Sequence, residues 1–209
     1  MPLTFIAGPV RSGKSSFAED IAVRKQLPVA YVATARADPD DPEWVDRLAR
    51  HAARRPPAWS VIETAAPHDR DLAAVVRSAS ASSVVLVDSL GTWLADRMSV
   101  RLPRVDALAL EEEAQTLADA LTESPAHLIT VSEEVGWGIV PEHPSGRLFR
   151  DVLGRLNKRL AHAAQQAYLV VNGFALPLHD LAAVGRGPAC ACGAVREGGD
   201  GVRTTIVSI

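Results

Sequence analysis

The chain has 209 residues, of which 47% are hydrophobic and 22% charged, a composition that is typical of one folded domain and argues against a disordered chain. Its net charge of −3 gives no general attraction to nucleic acid, whose binding proteins carry a basic face. The apolar runs are too short to span a bilayer and the first residues lack the layout of a signal peptide, so we expect a cytoplasmic protein without a membrane span.

Short apolar segments alternate with longer amphipathic segments along most of the chain. In order, they predict strands at Leu3–Ala7, Val29–Ala33, Trp59–Glu63, Val84–Asp88, His127–Val131 and Tyr168–Val171, and helices that begin at Ser15 and cover Glu43–Ala53, Asp69–Ala79, Leu90–Arg97, Ala107–Leu121 and Arg147–Gln165. This alternation is typical of an α/β fold in which helices cover both faces of a mostly parallel sheet.

Two segments interrupt this rhythm. Ser132–Gly146 is too long and too rich in glycine and proline for a simple connector, so we expect it to line a site. Beyond His179 the chain becomes Gly-rich before a strand-like stretch at Arg203–Ile209. We therefore predict a principal domain over residues 1–179 and an appendage over residues 180–209.

A phosphate-binding motif lies between the first predicted strand and the first helix. Its residues are Gly8, Pro9, Val10, Arg11, Ser12, Gly13, Lys14 and Ser15, which match the P-loop pattern G-x-x-x-x-G-K-[ST]. In such a loop the backbone N–H groups face phosphate oxygens, the lysine neutralises the β- and γ-phosphates, and the last hydroxyl binds Mg²⁺. The motif predicts that the chain binds a nucleoside triphosphate.

Carboxylates end two of the later strands. Asp88 ends the strand Val84–Asp88, where ligands collect in open α/β sheets, and we interpret it as the second Mg²⁺ contact of a P-loop site. The alternative is that Asp88 caps the next helix, a role that Ser89 can fill equally well. Glu133 and Glu134 follow the strand His127–Val131 and are either contacts to metal or substrate, or solvated loop acids.

Basic residues cluster around a histidine in the second predicted helix. The guanidinium groups of Arg47, Arg50, Arg54 and Arg55 suit a ligand with a few phosphates, although a solvated helix end gives the same pattern. Among these cations the imidazole of His51 is expected to stay neutral, which is the state that attacks phosphorus. The alternative is an ordinary surface histidine.

Taken together, the motifs resemble the bifunctional adenosylcobinamide kinase / adenosylcobinamide-phosphate guanylyltransferase family of cobalamin biosynthesis. The family P-loop typically reads G-G-x-R-S-G-K-S and precedes an Ala-Glu pair, here Ala18-Glu19. Further matches are Tyr31-Val32-Ala33-Thr34, and then His51, Arg55-Pro56, Trp59 and Glu63. The most specific match is the run Glu134-Val135-Gly136-Trp137-Gly138-Ile139-Val140-Pro141. It is followed by Arg147, Phe149-Arg150-Asp151, Gly154, Asn157 and Leu160. The resemblance covers about residues 3–179.

The resemblance implies a fold, a chemistry and a set of site residues. The fold would be a RecA-like P-loop sheet, assembled as a homo-oligomer, often a trimer. The enzyme would phosphorylate adenosylcobinamide with ATP or GTP and Mg²⁺, with Lys14 catalytic and Ser15 and Asp88 at the metal. His51 would then carry GMP from GTP to the phosphorylated product. GTP would contact Ala33, Thr34, Ala35, Arg54, Arg55 and Glu63.

Three departures from the family pattern and two rival functions accompany this interpretation. Pro9-Val10 replaces a glycine and a small residue, Asp88 stands where relatives have Glu, and residues 180–209 lie outside the resemblance.

The two rival functions are a P-loop kinase without the transferase step and a GTP-dependent switch protein. The chain has no convincing Asn-Lys-x-Asp motif for reading guanine, and a switch would leave His51 without a role.

Overall fold

The computed structural model describes residues 2–36, 40–65, 68, 70–101 and 105–181, but not the side chains of Trp44, Arg47 and His51. Within these residues the elements are, in chain order, β1 (Leu3–Gly8), α1 (Lys14–Arg24), β2 (Val29–Ala33), α2 (Pro42–Arg54), β3 (Ser60–Glu63), α3 (Leu72–Arg77), β4 (Val84–Asp88), α4 (Leu90–Ser99), α5 (Ala107–Glu123), β5 (His127–Glu133), α6 (Pro144–Ala163), β6 (Gln166–Val171), β7 (Phe174–Pro177) and α7 (Leu178–Leu181). The predicted strand at Arg203–Ile209 and almost all of the predicted appendage lie outside them.

The strands form one sheet in the order β3-β2-β4-β5-β1-β6-β7. All neighbouring pairs are parallel except β6 and β7, which are antiparallel. Because β5 lies between β1, which leads into the P-loop motif, and β4, which carries Asp88, the order is that of a RecA-like P-loop fold. The predicted fold class is therefore confirmed.

Helices cover both faces of the sheet, and each face has its own apolar core. On one face Phe5, Val87 and Leu128 pack against helices α3 to α6. On the other face Ile6 and Leu86 pack against α1 through residues such as Ala18. Adjacent strand residues thus enter opposite cores, which explains why the central strands are apolar without alternation. α2 contributes no described side chain to either core.

The helix bounds differ from the prediction where capping residues act. α6 begins at Pro144 rather than Arg147, because proline suits the first turn of a helix, where its missing N–H is not needed. α3 begins at Leu72 rather than Asp69, because the Asp71 carboxylate accepts the N–H of Ala73 and caps the helix.

β7 and the short helix α7 were not predicted from the sequence. The turn between β6 and β7 consists of Asn172 and Gly173, both with positive φ (50° and 83°), as a type I′ hairpin turn requires. The Asn-Gly pair between apolar residues was therefore a readable hairpin signal. No helix among the described residues is long and apolar enough to cross a membrane.

Candidate nucleotide-binding site

The P-loop motif joins β1 to α1 and is closed from one side by the β6–β7 turn. A Cβ atom at Gly8 would lie 2.3 Å from the carbonyl oxygen of Val170, so no larger residue fits there. Gly13 has a φ of 93°, which favours glycine, and the N–H of Gly173 donates to the Ser12 carbonyl at 2.8 Å. The hairpin thus buttresses the loop.

The departure at Pro9-Val10 leaves the loop intact. The carbonyl of Pro9 accepts the N–H of Ser12 at 3.3 Å and lies 3.5 Å from the Lys14 ammonium nitrogen. The Val10 side chain is exposed, and Arg11 has a left-handed φ of 58°. The lysine itself is buried at the start of α1. The ends of the motif therefore have the positions that a phosphate cradle needs.

Ser15 and Asp88 meet across the sheet, as the sequence predicts. The Ser15 hydroxyl donates to Asp88 Oδ1 at 3.3 Å, and the Tyr31 hydroxyl donates to Oδ2 at 2.9 Å. A hydroxyl and a carboxylate side by side are oxygen donors that suit Mg²⁺, so these two residues fit the ion. Ser89, not Asp88, caps α4, because its hydroxyl accepts the N–H of Thr92. The Asp88 carboxylate is therefore free of the capping role.

Tyr31 and Arg55 form a layer behind this carboxylate. Burial, together with the adjacent Asp88 charge, raises the pKa of Tyr31, so its hydroxyl stays protonated and can donate. The guanidinium carbon of Arg55 lies 3.7 Å from the centre of the Tyr31 ring, a cation–π contact. The residue pattern gave no sign of the contacts that Tyr31 makes.

Two clefts adjoin the P-loop. One, of about 300 Å³, separates it from α2 and is lined by Lys14, Ser15, Glu43, Arg50 and Arg54 among others. A smaller one, of about 70 Å³, brings Ala33, Ala35 and Arg55 to Lys14, Ser15 and Asp88. Most of the predicted nucleotide contacts therefore surround a single place at the ends of β1, β2 and β4.

Two predicted site residues stand apart from this cluster, and the side chain of a third is not described. The Thr34 side chain is fully buried and bonds the Ser89 carbonyl at 2.6 Å. Glu63 is exposed at the end of β3, pairs with His68 at 2.5 Å and lines neither cleft. The backbone of His51 lies in the last turn of α2, and its side chain is outside the described residues.

A third carboxylate, Glu133, enters the site from the end of β5. Its Oε1 lies 3.8 Å from the Lys14 ammonium nitrogen. It also accepts hydrogen bonds from the Ser89 hydroxyl and the Gly91 N–H. Glu133 is thus a site residue and not a solvated loop acid. Glu134 accepts the N–H of Gly136 and shapes the loop that follows.

Comparisons with known proteins agree with this geometry. The model of the family described as "Cobinamide kinase / cobinamide phosphate guanyltransferase" matches residues 4–178. The bifunctional adenosylcobalamin biosynthesis protein CobP of Pseudomonas aeruginosa is 37% identical over 174 residues, which are 83% of this chain and 95% of that protein. The corresponding protein CobU of Escherichia coli is 34% identical over 185 residues, which are 84% of this chain and 99% of that protein.

Solved structures with a similar arrangement are more distant. Flagellar accessory protein FlaH from Methanocaldococcus jannaschii has a TM-score of 0.40 and 16% identity, and the match covers 83% of this chain and 74% of that one. A KaiC-like protein from Pyrococcus horikoshii has a TM-score of 0.43 and 14% identity, with coverage of 80% and 70%.

Proposed function

Since this chain belongs to the cobinamide kinase / cobinamide phosphate guanyltransferase family, we propose that it phosphorylates adenosylcobinamide with ATP or GTP and then transfers GMP from GTP to the product through His51. The observation that carries the proposal is the convergence of Lys14, Ser15 and Asp88 at the smaller cleft, which Leu48 of α2 borders; α2 is the helix that contains His51.

The kinase step uses the P-loop residues. The hydroxyl oxygen of the aminopropanol arm attacks the γ-phosphorus, and the bond from that phosphorus to the β-phosphate oxygen breaks. The nucleoside diphosphate leaves, and the proton of the attacking hydroxyl passes to a base or to water. Lys14 offsets negative charge on the transferred group. Mg²⁺, held by Ser15 and Asp88, would offset charge on the β- and γ-phosphates.

The transferase step uses the residues of α2. A ring nitrogen of His51 attacks the α-phosphorus of GTP, the α–β bridging bond breaks and pyrophosphate leaves. A phosphate oxygen of phosphorylated adenosylcobinamide then attacks the same phosphorus, the P–N bond breaks, and adenosylcobinamide-GDP forms. Arg54 and Arg50 line the cleft beside α2, which supports a role in neutralising the phosphates. The covalent relay divides one difficult transfer into two displacements.

The acceptor is proposed to lie against the loop between β5 and α6. This loop starts beside the P-loop, where the Glu134 N–H donates to the Gly8 carbonyl at 3.0 Å. It exposes the apolar side chains of Trp137, Ile139 and Val140. An apolar rim next to the phosphates suits a large macrocycle whose reactive arm must reach the γ-phosphate.

Incubation with GTP labelled at the α-phosphate tests the histidine relay. We expect labelled protein that survives denaturation and alkali but loses its label in mild acid, as a phosphoramidate does. His51→Ala should abolish this label and still phosphorylate adenosylcobinamide, whereas Lys14→Ala should abolish phosphorylation. His162→Ala, which changes an exposed histidine on α6, is the matched control and should keep both activities.

The rival functions give different results in the same experiment. A kinase alone would phosphorylate the acceptor but never retain the label, and a switch protein would hydrolyse GTP without modifying the acceptor. Label that accumulates in His51→Ala at the wild-type level would place the nucleophile elsewhere.

A further inference from the structure

Glu133 occupies a central place in the sheet. It ends β5, which lies between the P-loop strand β1 and the Asp88 strand β4, and it is paired in register with Gly8. Its backbone is fixed from the opposite face, because the Asn157 amide of α6 donates to its carbonyl at 2.9 Å. The side chain is only 25% exposed. Glu133 is therefore held firmly enough to position other groups.

Its carboxylate connects two parts of the site. Its Oε1 lies 3.8 Å from the Lys14 ammonium nitrogen and accepts the Ser89 hydroxyl at 2.8 Å. Its Oε2 accepts the Gly91 N–H at 3.0 Å, at the start of α4. These donors belong to the turn that directly follows Asp88. A single side chain thus joins the P-loop lysine to the strand that carries the proposed metal ligand.

The residue at position 91 is adapted to this contact. A Cβ atom at Gly91 would lie 2.0 Å from Glu133 Oε2 and 2.8 Å from its Cδ. Any larger residue would therefore push the carboxylate away from the N–H that it accepts. Glycine in the first turn of α4 leaves the space that the Glu133 carboxylate fills.

We propose that Glu133 is a positioning residue that holds Lys14 before nucleotide binds. Its charge weakens nucleotide binding and speeds release of the nucleoside diphosphate. The proposal rests on the part of the proposed function that places phosphates at the P-loop. When Lys14 turns to the phosphates it leaves Glu133, and a carboxylate then stays next to a polyanion. The phosphates must displace one ion pair and tolerate one like charge.

Coulomb's law sets the scale of this effect. A like charge placed about 6 Å from a phosphate weakens binding about threefold at the dielectric constant of water and about a hundredfold at the lower effective value near a protein surface, so we expect a change of at least about threefold. The neighbouring carboxylate, Asp88, does not have this effect if it binds Mg²⁺, because the ion neutralises it. Among the described residues Glu133 forms an ion pair with Lys14 alone, so its charge is no longer paired once Lys14 has moved.

Nucleotide affinity without acceptor tests the proposal directly. Glu133→Gln keeps the length of the side chain and an oxygen that can accept from α4, but removes the charge. We expect the Kd values for ATP and ADP, measured by titration calorimetry, to fall at least about threefold. The dissociation rate of a fluorescent ADP analogue should fall by a similar factor. In turnover, the KM for ATP and kcat should both decrease, since product release slows.

A matched variant and a second substitution control for other causes. Glu123→Gln removes the same charge at the far end of α5, before β5 begins, and should leave the Kd values unchanged. Glu133→Ala removes the acceptor for α4 as well and should lower both Tm and kcat. Glu133→Gln should keep a Tm close to that of the wild type, because its amide oxygen can still accept from the α4 turn.

The outcomes separate this proposal from the proposed function. Unchanged or weaker nucleotide binding in Glu133→Gln would overturn the charge role and leave a structural one. Tighter binding in a chain that does not phosphorylate adenosylcobinamide would support the Glu133 role and refute the proposed activity. A wild-type chain that does not bind nucleotide would refute both.

Discussion

At the scale of single residues, the carboxylates around the P-loop differ in what surrounds them. Asp88 accepts hydrogen bonds from two hydroxyl groups and Glu133 from a hydroxyl and an N–H, whereas Glu19 of α1 is partly buried beside Arg54. Burial raises the pKa of Glu19 above its ordinary value of 4.5, and the Arg54 guanidinium at 3.5 Å only partly offsets this. The folded chain therefore holds the Glu19 proton more tightly than the unfolded chain.

This difference gives a pH dependence with a definite sign. The contribution of Glu19 to the free energy of unfolding is fully present below pH 4.5 and is lost as the pH rises through the raised pKa. We expect the stability of the wild type relative to Glu19→Gln to fall as the pH increases from 4 to 7, measured by urea unfolding at each pH.

Asp20→Asn is the matched control, because Asp20 is exposed one residue further along α1. The stability of the wild type relative to Asp20→Asn should not fall between pH 4 and 7 as it does relative to Glu19→Gln. If the stability of the wild type relative to Glu19→Gln instead rose with pH, the Arg54 ion pair would lower the pKa of Glu19 by more than burial raises it.

At the scale of elements, α6 shapes the loop that borders the site. The Arg150 guanidinium donates to the carbonyls of Gly136, Gly138 and Ile139 at 3.1, 3.2 and 2.6 Å. Arg147 donates to two further carbonyls at the end of the loop. A segment rich in glycine and proline thereby gains a defined shape. Its apolar side chains point outward, with Trp137 63% and Ile139 94% exposed.

Removal of the Arg150 side chain should loosen the loop between β5 and α6 without changing nucleotide binding. In Arg150→Ala three carbonyls lose a charged donor, which costs about 1–3 kcal/mol of local stability. We expect chymotrypsin to cleave at Trp137 about tenfold faster, and the KM for adenosylcobinamide to rise while that for ATP stays unchanged.

Arg155→Ala changes the same helix on the side that pairs with Glu111 of α5, and it should match the wild type in both measurements. An unchanged acceptor KM in Arg150→Ala, despite faster cleavage, would separate the loop from acceptor binding.

At the scale of the whole molecule, the buried residues of the two described cores all precede β7. Among the described residues, the buried apolar ones run from Leu3 to Val170. β7 adds the hairpin that buttresses the P-loop, and His179 of α7 bonds the Ala161 carbonyl at 2.9 Å. The family match ends at residue 178.

Truncation after Leu181 should therefore leave a folded and active enzyme. The expected change in Tm is less than about 3 °C, because no residue of either described core is removed. Truncation after Val171, which deletes β7 and α7, should lower Tm by more and weaken nucleotide binding, since the Gly173 contact to Ser12 is lost. A large loss of Tm on truncation after Leu181 would show that residues 182–209 contribute to the sheet or a core.

The local features of this protein were determined by the sequence alone. The P-loop consists of consecutive residues, and its glycines and lysine act through backbone geometry and charge that neighbouring positions specify. The strands up to β6 were predicted because their apolar runs are local signals, and the Asn172-Gly173 hairpin was readable in the same way. The role of His51 and the division at residue 179 remain predictions.

Contacts between strands were decided only by the tertiary structure. Tyr31, Asp88 and Glu133 lie on three different strands, and their distances depend on the order β2-β4-β5-β1, which no local pattern encodes. The same order brought Asp88 to Ser15 and Tyr31 and placed Glu133 in the space that Gly91 leaves, whereas the Ser89 cap of α4 is a local contact with Thr92. The physical reason is that hydrogen bonds and ion pairs extend only a few ångströms, so residues far apart in sequence interact only after the sheet has brought their strand ends together.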